Sequence, residues 1–144
     1  MVVFARALVT RRPCPHRVAR VAAVFSFVSR LVDGDEPMRD DRVARLLWVV
    51  GRDRGPAVIL AGLLLALGER ARVECTREIA FVRVALEARD LALLPPHAKL
   101  RASGRRVDLP LDPRRAGSPL GFLPRPVREV LDRRGGYTLR PSNR

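Results

Sequence analysis

The feature that most constrains this chain is an apolar segment over 57–67, followed at once by a change in the spacing of apolar residues. The segment, AVILAGLLLAL, is apolar on nearly every side of a helix, so it predicts a helix buried at the centre of the fold. Pro56 suits the first turn of that helix, and Gly68 suits the position just after its end. Apolar and polar residues then alternate over 70–75 and 80–86, which predicts strands with one solvated face.

The flanking segments extend this pattern to an α+β fold, with helices first and an antiparallel set of strands after them. Helical spacing of apolar residues predicts an amphipathic helix over 17–32 and a short second helix over 40–50. A third strand is expected over 105–111, where Pro110 indicates an edge strand or a strand end. A helical turn is expected over 127–131. We therefore expect an N-terminal extension over 1–16, one domain over 17–134 and a flexible C-terminal tail over 135–144.

The composition excludes several classes of protein. Of the 144 residues, 47% are hydrophobic, which is too high a fraction for a disordered chain. Cys14 and Cys75 are the two cysteines, too few for a disulfide scaffold or a four-thiolate zinc site. The apolar segment over 57–67 is well short of the roughly 20 residues that a membrane span needs. We expect a cytoplasmic protein with no metal or cofactor and no membrane contact.

The net charge of +13 comes from 28 basic and 15 acidic residues, and Lys99 is the single lysine among the basic ones. The arginines are spread along the whole chain, and aromatic residues, the stacking platforms for single strands, are 5% of it. This pattern favours an arginine-rich solvated surface. The alternative is a nucleic-acid-binding module, whose binding would weaken steeply with added salt.

The segment over 51–73, GRDRGPAVILAGLLLALGERARV, resembles the core motif of transglutaminase-like proteins, which share the papain-type cysteine-protease architecture. In that family a Gly-Asp-Cys stretch opens a buried Leu/Ala-rich helix, which ends in Leu-Gly before an Ala-Arg-Val strand. The similarity continues over 80–84, 111–113 and 117–124, and it covers roughly residues 17–126. It implies N-terminal helices with a central buried helix packed on an antiparallel sheet.

The resemblance also implies where catalytic residues would stand. The family's thiol, histidine and acid correspond to Asp53, Ile79 and Asp112, so only the acid is retained. Without a nucleophile and a base no covalent acyl intermediate can form. The expected protein is a pseudoenzyme or binding scaffold, whose pocket is bordered by Asp53, Ile79, Asp112, Trp48 and Phe81 and whose partner, a protein or peptide, is not identified.

Each of these positions also has a purely structural interpretation. Asp53 suits the cap of a helix, where its carboxylate accepts from backbone N–H groups. Asp112 precedes Pro113 and suits a turn. Trp48 suits the core. These interpretations need no ligand.

A third function remains open, an active enzyme with a displaced catalytic set. It would use Cys75 or Cys14 with His97 or His16, and Asp112, and would need a sulfur within about 4 Å of a ring nitrogen. Against it, a cysteine in a strand such as Cys75 is more often a small buried hydrophobe, and His97 has the surroundings of a surface loop. Cys14 and His16 provide two ligands, too few for a closed metal site.

Overall fold

Helices come first along the chain and strands follow, in the α+β order that the sequence predicts. The computed structural model describes residues 1–11, 13–33, 54–77, 79–95, 106–114 and 117–123. Its elements in chain order are α1 (Val2–Thr10), α2 (Arg17–Asp33), α3 (Gly55–Ala66), β1 (Ala71–Cys75), β2 (Ala80–Glu87), a 3-10 helix (Ala88–Leu93) and β3 (Arg106–Leu111). The predictions of helices over 17–32 and 57–67 and of the three strands are confirmed.

The three strands form an antiparallel sheet in the order β1-β2-β3. Val82 lies opposite Val73 of β1 and Leu111 of β3, so these three residues share one face of the sheet. Side chains alternate between the two faces of a strand. The face that carries Val82 packs against the helices, and the opposite face carries Phe81 and Arg83.

The core lies between the helices and this face of the sheet. In α3, Leu60 and Leu64 are completely buried, as the apolar character of this helix predicts. The core also takes one apolar stripe from α2 and the helix-facing side chains of β2 and β3: Val18, Val21, Val24, Phe25, Val28, Ala80, Val82, Val84, Leu86, Val107, Leu109 and Leu111. Because α3 contacts both α2 and the sheet, it is the central element of the packing.

The first helix, α1, belongs to the same core, whereas the sequence analysis treats residues 1–16 as an extension. Ala5 is completely buried, and the ring of Phe4 packs edge-on against Phe27 of α2 with centroids 5.4 Å apart. The spacing of four residues between Phe4 and Leu8, and between Ala5 and Val9, is the helical signal for this segment. Both Leu8 and Val9 pack against the core.

An ion-pair network ties the start of α2 to the far end of α3 and the end of β2. The Arg17 guanidinium pairs through Nε with Glu69 Oε2, donates from Nη2 to the Ala85 carbonyl oxygen at 2.9 Å, and lies 3.6 Å from Asp90 Oδ2. Arg20 Nη2 lies 3.5 Å from the other Glu69 oxygen. The Glu69 side chain is 3% exposed, so this carboxylate is an internal anchor rather than a surface charge.

Several sequence-based predictions lie outside the described residues: the helix over 40–50, the turn over 127–131 and the tail over 135–144, together with Trp48, Asp53 and His97. Within the part of the chain that the structure describes, no helix has the length and apolar character needed to cross a membrane.

Candidate functional site at the end of the sheet

The positions that the resemblance gives to the base and the acid lie at one end of the sheet, where β2 begins and β3 ends. Val82 is paired with Leu111, so continuing this register by one residue sets Asp112 opposite Phe81, two residues from Ile79. Only residues 67–70 connect α3 to β1, and α3 contacts both β1 and β2. The helix therefore runs back along the sheet, and its N-terminus points toward this same end.

Ile79 is part of a small apolar cluster with Phe81 and Leu123, separate from the main core. The three residues are 5%, 0% and 1% exposed. Ile79 is also held by the turn between β1 and β2: its N–H donates to Thr76 Oγ1 at 3.1 Å, and its carbonyl accepts from the Thr76 N–H at 2.8 Å. The position assigned to the base thus carries a buried hydrocarbon in a tightly bonded turn.

Asp112 is buried, 6% exposed, and its carboxylate binds an arginine. Arg114 donates from Nε to Oδ1 and from Nη2 to Oδ2, both at 2.8 Å, and its backbone N–H also reaches Oδ1 at 3.3 Å. The last contact spans two residues, which is the geometry of an aspartate that stabilises a turn. This contact favours the turn interpretation of Asp112, and both carboxylate oxygens are engaged by Arg114.

Arg114 was not singled out from the sequence, although its position two residues after Asp112 is the available signal. A guanidinium with two parallel donors matches a carboxylate in the plane of its fork. This pair closes the end of β3, where Asp112 lies opposite Phe81 and is buried like the residues of the Ile79 cluster.

Charged residues cover the rest of this face of the sheet. Arg83 donates from Nη2 to Glu74 Oε1 at 3.0 Å, lies 4.0 Å from Asp108 Oδ2, and stands over the Phe81 ring at 5.8 Å from its centroid. Arg72 Nη2 pairs with Asp108 Oδ2 at 3.1 Å. The alternation over 70–75 and 80–86 predicts a solvated face, but the Arg83 side chain is only 8% exposed. The alternating pattern did not indicate that Arg83, in the middle of this face, is buried.

The alternative of a displaced catalytic set depends on Cys14 or Cys75 with His16 or His97, and of these His97 lies outside the described residues. The expectation that Cys75 is buried is wrong: it is exposed, at the end of β1, which pairs with β2 alone among the described strands. Cys14 is half-buried. His16 Nδ1 accepts from the Ala19 N–H at 3.1 Å, so the imidazole caps the first turn of α2.

No three His, Cys, Asp or Glu side chains of the described ranges lie close enough together to hold a metal ion. Many of the arginines in these ranges are held by carboxylates: Arg17, Arg20, Arg72, Arg83, Arg89 and Arg114. Among these, Arg83 is buried within the fold, whereas the side chains of Arg72 and Arg89 remain 64% and 81% exposed.

Comparisons of this chain with protein-family models, with curated proteins and with solved structures find no match. The resemblance to transglutaminase-like proteins is therefore carried by the residues of this chain alone, and the function that follows from it is a proposal.

Proposed function

We propose that this chain is a transglutaminase-like domain of papain-like architecture that binds a protein or peptide in the cytoplasm and does not catalyse acyl transfer. The proposal rests on what surrounds Ile79 and Asp112, the positions that the resemblance gives to the base and the acid. Ile79 is packed in an apolar cluster, and Asp112, close to it across neighbouring strands, has its carboxylate bound by Arg114.

The order and packing of the elements support the architecture. A buried helix, α3, is followed by antiparallel strands, and its N-terminus points to the end of the sheet that carries Ile79 and Asp112. Such an arrangement is what the family needs to bring a thiol, an imidazole and an acid together. The same arrangement with Asp53 and Ile79 in two of the three positions keeps the framework and removes the reacting groups.

The chemistry of this end of the sheet argues against acyl transfer. Acyl transfer requires a nucleophile that a neighbouring base activates, and a hydrocarbon such as the Ile79 side chain can neither take nor return a proton. Ile79, Phe81 and Leu123 are 5%, 0% and 1% exposed, so the cluster stabilises this end of the sheet rather than offering apolar surface to a partner.

The reaction itself is tested directly on the purified chain. Transamidation of a glutamine peptide with a primary amine, and hydrolysis of the same peptide, are measured with and without iodoacetamide. We expect no turnover above the rate without protein. A reaction that iodoacetamide abolishes would refute the absence of catalysis.

The architecture is tested by restoring the missing groups. In a background with Cys14→Ser and Cys75→Ser, Asp53→Cys supplies one thiol, and Ile79→His or Ile79→Asn is then added. An imidazolium beside a thiol lowers its pKa from about 8.5 into the range of roughly 3.5–7.5, so alkylation at pH 6 should be about tenfold faster with histidine.

The asparagine variant is the matched control, because it puts a polar side chain of similar size at the same buried position without a base. Equal alkylation rates in the histidine and asparagine variants, with native circular dichroism in both, would mean that residues 53 and 79 are far apart. The transglutaminase-like alignment would then be wrong.

A further inference from the structure

The strand β1 has one edge without a partner in the described part of the chain. The sheet order is β1-β2-β3, so β1 pairs with β2 on one side only. On this strand Val73 is 37% exposed, and Arg72 and Cys75 are exposed as well. We propose that this edge pairs with β1 of a second copy of the chain, antiparallel and centred on Val73.

The backbone of β1 has its donors and acceptors arranged for such pairing. The Ala85 N–H donates to the Arg70 carbonyl at 2.9 Å, and the Thr76 N–H donates to the Ile79 carbonyl at 2.8 Å. In an antiparallel ladder such hydrogen-bonded pairs alternate, so even-numbered residues of β1 point their backbone groups at β2. The N–H and C=O groups of Ala71, Val73 and Cys75 therefore point to the open edge.

The charge pattern of β1 selects one register for two copies. With Val73 opposite the partner's Val73, Arg72 lies opposite the partner's Glu74, and the same pair repeats across the two-fold axis. The two nearest registers that keep the same hydrogen-bonding pattern place Arg72 opposite the partner copy's Arg72, or Glu74 opposite the partner copy's Glu74. Like charges directly opposite each other are destabilising. The five-residue strand is thus complementary to itself in the centred register.

The centred register is compatible with the rest of the fold. Val73 shares the helix-facing side of the sheet with Val82, so the two copies of Val73 meet on that side. A two-fold axis perpendicular to the sheet keeps the helices of both copies on one side and joins two three-stranded sheets into one. Arg72 and Glu74 lie on the other side, where Glu74 pairs with Arg83 and Arg72 Nη2 pairs with Asp108 Oδ2 at 3.1 Å. The Arg72 side chain is 64% exposed, and its other guanidinium N–H groups are available to the partner's Glu74.

The expected association is weak and reversible. Five residues per strand make a small interface, which is typical of dissociation constants of about 10–100 µM. Each copy carries a net charge of +13, so the measurement belongs at about 0.15 M salt, where the Debye length is about 8 Å and long-range repulsion is screened.

The mass in solution tests the proposal. By sedimentation equilibrium between about 10 µM and 1 mM, the weight-average mass of the wild type should rise from 16.1 kDa toward twice that value. Val73→Pro removes an N–H that points outward, and proline is tolerated on edge strands, so this variant should stay monomeric. Val73→Thr keeps the N–H and the branched side chain and should associate like the wild type. A wild type that is monomeric throughout, or a proline variant that associates equally, would overturn the proposal.

Disulfide formation tests the register without depending on the proline variant. One protein carries Val73→Cys with Cys14→Ser and Cys75→Ser, and its control carries Cys14→Ser alone, so each has a single thiol on β1. Opposed residues 73 lie about 5.5 Å apart across a hydrogen-bonded pair, within disulfide range. The two copies of Cys75 are offset by four residues, about 13 Å, and cannot be bridged.

In a glutathione redox buffer, the thiol at position 73 should therefore form covalent dimers at least about tenfold faster than the thiol at position 75. Equal rates, or faster dimerisation through Cys75, would refute the centred pairing.

Discussion

Replacing Glu69 with glutamine isolates the contribution of the buried ion-pair network to stability. The Glu69 side chain is 3% exposed, while its partners Arg17 and Arg20 are 23% and 38% exposed. Removing one partner of a fully buried pair costs about 3–5 kcal/mol. Here the arginines keep access to water and the amide oxygen can still accept from Arg17, so we expect Glu69→Gln to lower the free energy of unfolding by about 2 kcal/mol.

The matched control is Glu87→Gln, which removes a carboxylate from an exposed pair. The side chains of Glu87 and Arg89 are 54% and 81% exposed, and Arg89 Nε lies 2.8 Å from Glu87 Oε2. Exposed ion pairs of this kind contribute about 0.2–1 kcal/mol to stability. Glutamine can also keep the capping contact that Glu87 makes with the 3-10 helix. The expected loss is below about 0.5 kcal/mol.

Urea unfolding followed by circular dichroism measures both variants, with the slope m expected to be unchanged. At this chain length about 2 kcal/mol corresponds to a fall in Tm of roughly 6–8 °C. A double-mutant cycle with Arg17→Met assigns the loss to the pair, because partners in one network have non-additive effects. If Glu69→Gln and Glu87→Gln lose equal stability, or if the cycle shows no coupling, the network does not join α2 to α3 energetically.

Three further substitutions test the packing and the turns by the same unfolding measurement. Leu60→Ala should lower the free energy of unfolding by about 3 kcal/mol because Leu60 is completely buried. Leu65→Ala, at a position 56% exposed, should lower it by less than about 0.5 kcal/mol. Similar losses in the two variants would contradict the orientation of α3. His16→Ala should lower the free energy of unfolding by about 1 kcal/mol, because it removes the acceptor for the Ala19 N–H. His16→Asn keeps an acceptor and should recover most of this loss. Equal losses in the two variants would mean that His16 does not act as a cap. Gly68 has a φ of +81°, and no atom lies within 4 Å of an added Cβ. Gly68→Ala should therefore lower the free energy of unfolding by about 1 kcal/mol through backbone strain alone, and Gly68→Asn by less. No loss in Gly68→Ala would argue against the left-handed turn.

Much of the fold followed from the sequence because its signals are local. The apolar segment over 57–67 has no polar side to present to solvent, so burial of α3 was predictable from hydrophobicity alone. The change from helical spacing to alternation after Gly68 likewise predicted β1 and β2, since the two periods put side chains on different faces. The helix α1 was not predicted, because its apolar pattern spans only nine residues and is followed directly by the Arg- and Pro-rich segment over 11–15.

The candidate site depended on contacts between residues distant in sequence. The sequence alone assigned Ile79 and Asp112 by resemblance, but only the β2–β3 register brings them to one end of the sheet. The exposure of Cys75 and the burial of Arg83 were likewise not readable from alternation. Alternation predicts which face a side chain takes but not whether another strand or loop covers that face.

Local sequence patterns thus predicted the order of helices and strands from α2 onward and the burial of α3. The loss of a nucleophile and a base at two positions of a transglutaminase-like motif stays a proposal. Packing fixes the strand order, the edge position of β1 among the described strands and the pairing of Asp112 with Arg114. The physical reason is that backbone propensity and hydrophobic spacing act over a few neighbouring residues, whereas exposure and ion pairing depend on which distant segments the packing brings together.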